Sequence, residues 1–392
     1  MERAFFEAFE QGIDRKGTQC EKWDFTERIF GRADVIPMWV ADMDFASPDC
    51  VREALICRAS HGAYGYTDDN SAMREAVAGW MQARHGYLMR PEWGLYSSGV
   101  VDSILFALKT VTQPGDKVIV QPPVYGPFYR MTMTAGCEPV LNPLVETENG
   151  WRMNLEALER QLKEGAKAFI LCSPHNPVGR VWTKGELQAL ISLLNEYGTA
   201  LISDEIHADF ALPGHTHTCC QTLPGAEQSI LLVSATKTFN LAGLRTSTMI
   251  VPDDALRARV MDTMKKMGAD TPNIFGSVAQ TAAYRCAAPW LDALIEYLDG
   301  NRQLAESFFR ENTPEIMPAR MEGTYLMWLD CRKLGMEQQA LERFFIDKAG
   351  VGLSSGTNFG PEGAGFMRIN LAAPRSRVRE ALARIGEAVK SL

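Results

Sequence analysis

Short apolar runs rich in β-branched residues alternate with longer amphipathic stretches through the middle of this chain. The runs span 117–120, 168–171, 200–203, 230–233 and 248–251. Each is apolar at consecutive positions rather than at every second one. That is the pattern of strands buried on both faces, as in a parallel sheet covered by helices. Between them lie segments with helical periodicity, the clearest at 184–194, and breaks such as Gln113-Pro114-Gly115-Asp116. The alternation predicts an α/β layered domain with a mostly parallel central sheet. After Pro289 the texture changes. A long polar helix pattern leads to two separate strand-like runs, 325–329 and 366–371, and then to a closing amphipathic helix. This predicts a smaller α+β domain, with the boundary near residue 285.

Composition narrows the function class. At 392 residues and 46% hydrophobic, the chain can bury more than one core, in keeping with two domains. A formal net charge of −8 argues against nucleic acid as the main partner, because a phosphate backbone selects a basic face. It leaves small anionic ligands open. The first twenty residues show no basic segment followed by an apolar run, so no secretory leader is expected. No run of about 18 or more apolar residues occurs, so no membrane span is expected either. The nine cysteines are scattered and odd in number, with no Cys-x-x-Cys pair. They are expected to be reduced thiols in a cytoplasm. One cluster, His215, His217, Cys219 and Cys220, raises the question of a metal. Its spacing matches no zinc pattern, so no metal is expected and a surface loop is.

Candidate chemistry lies at strand ends. Lys237, in Ser234-Ala235-Thr236-Lys237, directly follows an apolar run. Burial there lowers an amine's pKa and makes it a usable nucleophile for a carbonyl. Ser234 and Arg245 lie close enough in sequence to share a phosphate with it. Ser97-Ser98-Gly99-Val100 opens a helix whose free N–H groups can hold an anion. Asp204 ends the run at 200–203, where ligands bind in open α/β sheets. Asn176, in Pro174-His175-Asn176-Pro177, follows another strand end. Arg368 stands inside an apolar run and needs an anion, for which a carboxylate gives a bidentate match.

Taken in order, Tyr66, Ser98-Gly99-Val100, Tyr125, Asn176, Asp204, Ser234, Lys237, Arg245 and Arg368 resemble the signature of fold-type-I pyridoxal-5′-phosphate (PLP) enzymes, the aspartate aminotransferase superfamily. The likeness covers nearly the whole chain. It implies a large PLP-binding domain at 46–285, a small C-terminal domain at 286–392, and an N-terminal segment, 1–45, packing with the small domain. It implies that Lys237 anchors PLP covalently and that Asp204 faces the pyridine nitrogen. Asn176 would contact the ring hydroxyl oxygen and Tyr125 would stack on the ring. Gly99, Val100, Ser234 and Arg245 would hold the phosphate. Arg368 would hold the substrate α-carboxylate. Tyr66 would reach the phosphate of a partner subunit, making a homodimer with shared sites.

Within the superfamily the chain is more similar to the MalY/PatB-type cystathionine β-lyases. Val40-Ala41-Asp42-Met43-Asp44, Ser173-Pro174-His175-Asn176-Pro177-Val178-Gly179-Arg180 and Asp204-Glu205-Ile206-His207-Ala208-Asp209 carry that likeness, with Lys237-Thr238-Phe239-Asn240-Leu241. His207 is expected beside the cofactor and Ala41 beside the substrate. The implied reaction is β-elimination from cystathionine or another L-cysteine S-conjugate, giving a thiol, pyruvate and ammonia in methionine and cysteine metabolism. An aminotransferase of class I/II would use the same residues. A regulatory binding protein with residual lyase activity is the third reading.

Overall fold

The structure is a computed structural model and describes residues 2–67 and 70–392. Its centre is a seven-stranded sheet. Across the sheet the strands are Gly94–Ser97, Ser247–Ile250, Ile230–Val233, Ala200–Asp204, Ala168–Cys172, Lys117–Val120 and Glu138–Leu141. The last five pair in parallel, while Ser247–Ile250 runs antiparallel to both of its neighbours. All five runs expected from the sequence are strands of this sheet. The two edge strands carry weaker apolar patterns: Glu138–Leu141 is only partly buried, whereas Gly94–Ser97 is mostly buried but composed of Gly, Leu, Tyr and Ser.

Alternation within each strand explains the double-sided apolar pattern. Val118, Val120, Ile170, Ile202 and Leu232 face one layer with Ile104 and Leu108 of the helix Val100–Val111. Ile119, Phe169, Leu171 and Leu201 face the opposite layer with Leu187, Leu190 and Ile191 of the helix Lys184–Glu196. Burial of each such side chain contributes roughly 1.5–3 kcal/mol. The Lys184–Glu196 helix starts where Thr183 and Glu186 cap each other. Thr183 Oγ1 accepts from the Glu186 N–H at 3.2 Å, and the Glu186 carboxylate accepts from the Thr183 N–H at 2.9 Å. A reciprocal cap of this kind stabilises a helix by about 1 kcal/mol.

The C-terminal part builds a second sheet in the order Met317–Pro318, Leu326–Asp330, Phe366–Asn370, Ser354–Ser355, all antiparallel. Helices Ala288–Asn312 and Arg375–Lys390 pack beside it. Ile36–Pro37 pairs in parallel with Val351–Gly352, so this part of the N-terminal segment joins the second region, while Phe9, Met43 and Phe45 share a core cluster with Leu231, Val233 and Ile250 of the large sheet. The segment then crosses toward the Lys237 loop. There Asn240, in the left-handed conformation at φ 59°, donates from Nδ2 to the carbonyls of Met43 and Phe45.

Candidate active site

The parallel strands end on one edge of the large sheet, and a cavity of about 320 Å³ lies over that edge. Ala41, Gly99, Val100, Tyr125, Asn176, Asp204, His207, Lys237 and Arg245 all line it. Arg368 closes the side formed by Asn176. Residues from six separate stretches of sequence thus meet at one place, as the strand-end argument requires.

At one end the cavity is built for an anion. Gly99, with φ 143°, caps the helix Val100–Val111 and turns its first N–H groups toward the space. Arg245 pairs with Asp102 at 2.9 Å and remains largely exposed. Thr236 and Thr246 also line this end, and the buried Thr246 hydroxyl has no partner. Ser234 stands just behind this end. Its hydroxyl donates to the Thr246 carbonyl at 2.7 Å and accepts from the Thr236 N–H at 3.0 Å, and Ser234 is not on the cavity wall. It supports the loop, while Thr236 and Thr246 face the space.

The centre holds two buried ionisable groups. Lys237 Nζ donates to the Ala41 carbonyl at 2.6 Å. Desolvation pushes the lysine down to about 8. Asp204 accepts one bond, from the Ile206 N–H at 3.0 Å. Desolvation pushes its carboxyl up to about 7. Among the described residues no ion pair is made by Asp204, and the charge of Lys237, which lines the same cavity, offsets only part of its desolvation. The His207 ring packs edge-on to Tyr325 and is held neutral, pushed down to about 3 by burial and by the charges of Lys237 and Arg368. Burial also raises the Tyr125 phenol.

At the other end sits Arg368, buried and without a carboxylate partner among the described residues. Its Nη1 donates to Asn176 Oδ1 at 3.0 Å, and its Nη2 donates to the Trp39 carbonyl at 2.8 Å and to Ser354 Oγ at 3.2 Å. Its Nε has no partner. The guanidinium lies 4.7 Å from the centre of the Phe359 ring. A cation desolvated this far, and lacking an anion, is costly unless a ligand completes it. Desolvation lowers it to about 10.

Sequence reasoning did not find Thr236, Thr246 or Tyr325. Tyr325 donates to the same Ala41 carbonyl as Lys237, at 3.0 Å. Hydroxyls of this kind carry no charge or spacing that separates them from ordinary core residues. Tyr66 lies outside the cavity, and its side chain is 103% exposed. The His215–Cys220 segment is not a surface loop throughout. His217, Cys219 and Cys220 are buried, and His217 Nε2 lies 2.7 Å from Glu205. The Cys220 N–H donates to the same carboxylate at 2.9 Å. The segment folds inward because a buried carboxylate needs these partners.

Comparison with known proteins decides the lineage. The model of the family "Aminotransferase class I and II" matches residues 33–385. The chain belongs to the aminotransferase class I and II family. Within that family it is 41% identical over 384 residues to cystathionine beta-lyase PatB of Bacillus subtilis (strain 168), covering 97% of this chain and 99% of the relative. It is 32% identical to protein MalY of Escherichia coli (strain K12), covering 98% and 99%. Among solved structures, cystalysin from Treponema denticola, which contains a pyridoxal 5′-phosphate cofactor, superposes with a TM-score of 0.94 at 35% identity. That match covers 98% of each chain. The fold is therefore the fold-type-I architecture of this aminotransferase family, as the sequence resemblance implied.

Proposed function

We propose that this family member is a PLP-dependent carbon–sulfur β-lyase. Its substrate would be cystathionine or another L-cysteine S-conjugate, and its products a thiol, pyruvate and ammonia. One observation carries the reading. A buried amine, a buried acid and a buried arginine, neither of the last two ion-paired among the described residues, meet at one cavity, in a chain that matches a cystathionine β-lyase over 97% of its length.

The residues fit the cofactor. Asp204 makes no ion pair among the described residues, and a protonated pyridine nitrogen would supply one. The helix start at Gly99 and Val100, the free Thr246 hydroxyl and Arg245 suit a phosphate. Tyr125 offers a ring face and Asn176 an amide beside it. Lys237, with its proton weakly held, suits covalent attachment to an aldehyde.

Bound PLP supplies an electron sink for the pair left on the substrate Cα. The chain supplies the rest. Arg368 orients the α-carboxylate, so that the Cα–H bond faces Lys237. The lysine amine takes the Cα proton as a general base. Asp204 holds a proton at the ring nitrogen. The Cβ–S bonding pair leaves with the thiolate, which picks up a proton, and the released enamine hydrolyses in water to pyruvate and ammonia.

Several finer features belong to the same reading. Tyr66, fully exposed beside the half-exposed Tyr64, suits a homodimer in which it reaches the phosphate of a second copy. The nine unpaired thiols suit a cytoplasmic enzyme. Among the described residues no helix is long and apolar enough to cross a membrane. A division at 1–45, 46–285 and 286–392 is supported by the helix break at Cys286–Ala287 and by the pairing of Ile36 with Val351.

A transaminase reading draws on the family model itself. Cystathionine supplied without a keto acid separates the two. Sustained pyruvate release supports the lyase. A single half-turnover that stops would sink it. A panel of cysteine thioethers scored by pyruvate then ranks substrates.

A further inference from the structure

Lys237 sits on a helix of one turn, Ala235–Thr238. So short a helix is held by outside contacts rather than by its own hydrogen bonds. Ser234 fixes its start, through Thr236 and the Thr246 carbonyl. Its end is fixed by Thr238, whose hydroxyl donates to Asp209 Oδ2 at 2.7 Å. Asp209 also accepts from Trp80 Nε1 at 3.0 Å and lies 2.9 Å from His85 Nε2. Both of these residues belong to the helix Ser71–His85. Asp209 itself lies in the turn Ala208–Phe210, just beyond the strand and turn that carry Asp204 and His207. It is behind the cavity wall, not on it.

We infer that Asp209 is a positioning residue, acting through the Thr238 hydroxyl to fix Lys237 relative to Asp204. The inference rests on the reading of Lys237 as cofactor anchor and base. One buried carboxylate ties together the element bearing the acid, the helix bearing the amine and an outer helix. A short O–H···O⁻ bond is about twice as strong as a neutral one and directional. Burial would raise the Asp209 carboxyl, yet the bonds from His85, Thr238 and Trp80 hold it below the usual range, so the charge is retained. A misplacement of about 1 Å in such a constellation costs about 100-fold in rate.

The test uses the PLP-loaded enzyme with Thr238→Val, Thr238→Ser and Asp209→Asn. Three quantities are read: PLP bound per chain, the visible circular dichroism of the bound cofactor, and the exchange of the L-alanine Cα proton in D₂O. Exchange is common to lyases and transaminases, so failure of the β-elimination reading leaves this measurement valid. Thr238→Val and Asp209→Asn are expected to keep PLP and KM. Their saturating exchange rate is expected to fall by about 10–100-fold, with an altered dichroic band, and Thr238→Ser should restore both. Should Asp209→Asn fail to fold, Thr238→Val decides. Wild-type rate and dichroism in Thr238→Val would overturn the inference. So would a rate loss that only follows lost PLP, or no rescue by Thr238→Ser. A wild-type enzyme that exchanges no Cα proton would overturn it together with the reading of Lys237.

Discussion

Asp204 and Glu205 are adjacent, both fully buried, and held in opposite ways. Asp204 faces the cavity, accepts one backbone bond and is pushed up to about 7 by desolvation. Glu205 faces the back of the same turn. Burial would raise it as well, but His217 at 2.7 Å and the bond from Cys220 N–H draw it below the usual carboxylate range, and Ser203 Oγ also donates to it. Depth alone therefore does not mark a working group. The group left short of partners is the one with chemistry still to do, and its satisfied neighbour keeps the turn in place.

This contrast can be broken in several ways. The largest effect is expected at the amine the acid serves. Lys237→Ala should lose the absorbance of covalently held cofactor and about 10⁴-fold in turnover, checked by spectrum and pyruvate release. Asp204→Asn should follow, with kcat lower by about 10²–10³-fold in the folded, PLP-loaded protein. Arg368→Ala should raise KM about 100-fold while PLP stays bound, because a charge-assisted pair is worth about 1.5–3 kcal/mol. Loss of PLP instead would assign Arg368 to the cofactor.

Glu205→Gln should leave turnover of the remaining folded enzyme nearly unchanged. It should lower stability by about 3 kcal/mol, measured by denaturant titration, since it uncouples a buried pair. The smallest effect sharpens the comparison through pH. In cofactor-free protein Asp204 binds its proton more tightly folded than unfolded. Its contribution to stability is therefore present at pH 4 and lost as pH rises toward 7. Glu205 has the opposite sign and loses its contribution as pH falls below the ordinary carboxylate range. At pH 8, Asp204→Asn should thus raise the Tm of cofactor-free protein by about 2 °C, whereas Glu205→Gln lowers it. A fall for both would refute the contrast.

Much of this was legible in the sequence, for physical reasons. A strand covered on both faces writes a continuous apolar run, and all five such runs appear in the sheet. Charged residues at the ends of those runs, such as Asp204 and Lys237, stand out because they interrupt them. A hydroxyl near a lysine, such as that of Ser234, looks the same in sequence whether it faces a ligand or a carbonyl. Only the fold shows that Thr236 and Thr246 also line the cavity. The antiparallel course of Ser247–Ile250 was likewise invisible, since strand direction leaves no mark on composition.

That reversed strand has a mechanical consequence. A parallel neighbour would oblige the chain to travel to the far side of the sheet before returning. Here it leaves the sheet at Val233 and re-enters at Ser247 on the same edge. The stretch carrying Lys237, Thr236, Arg245 and Thr246 is thus a short tether clamped at both feet by hydrogen-bonded strands. Its ends are brought together by the sheet, so little loop-closure entropy is left to oppose its ordering. Lengthening the tether by a few residues would loosen the amine at the centre of the cavity and the anion end at once, whereas an insertion between parallel strands would be absorbed by a surface crossover.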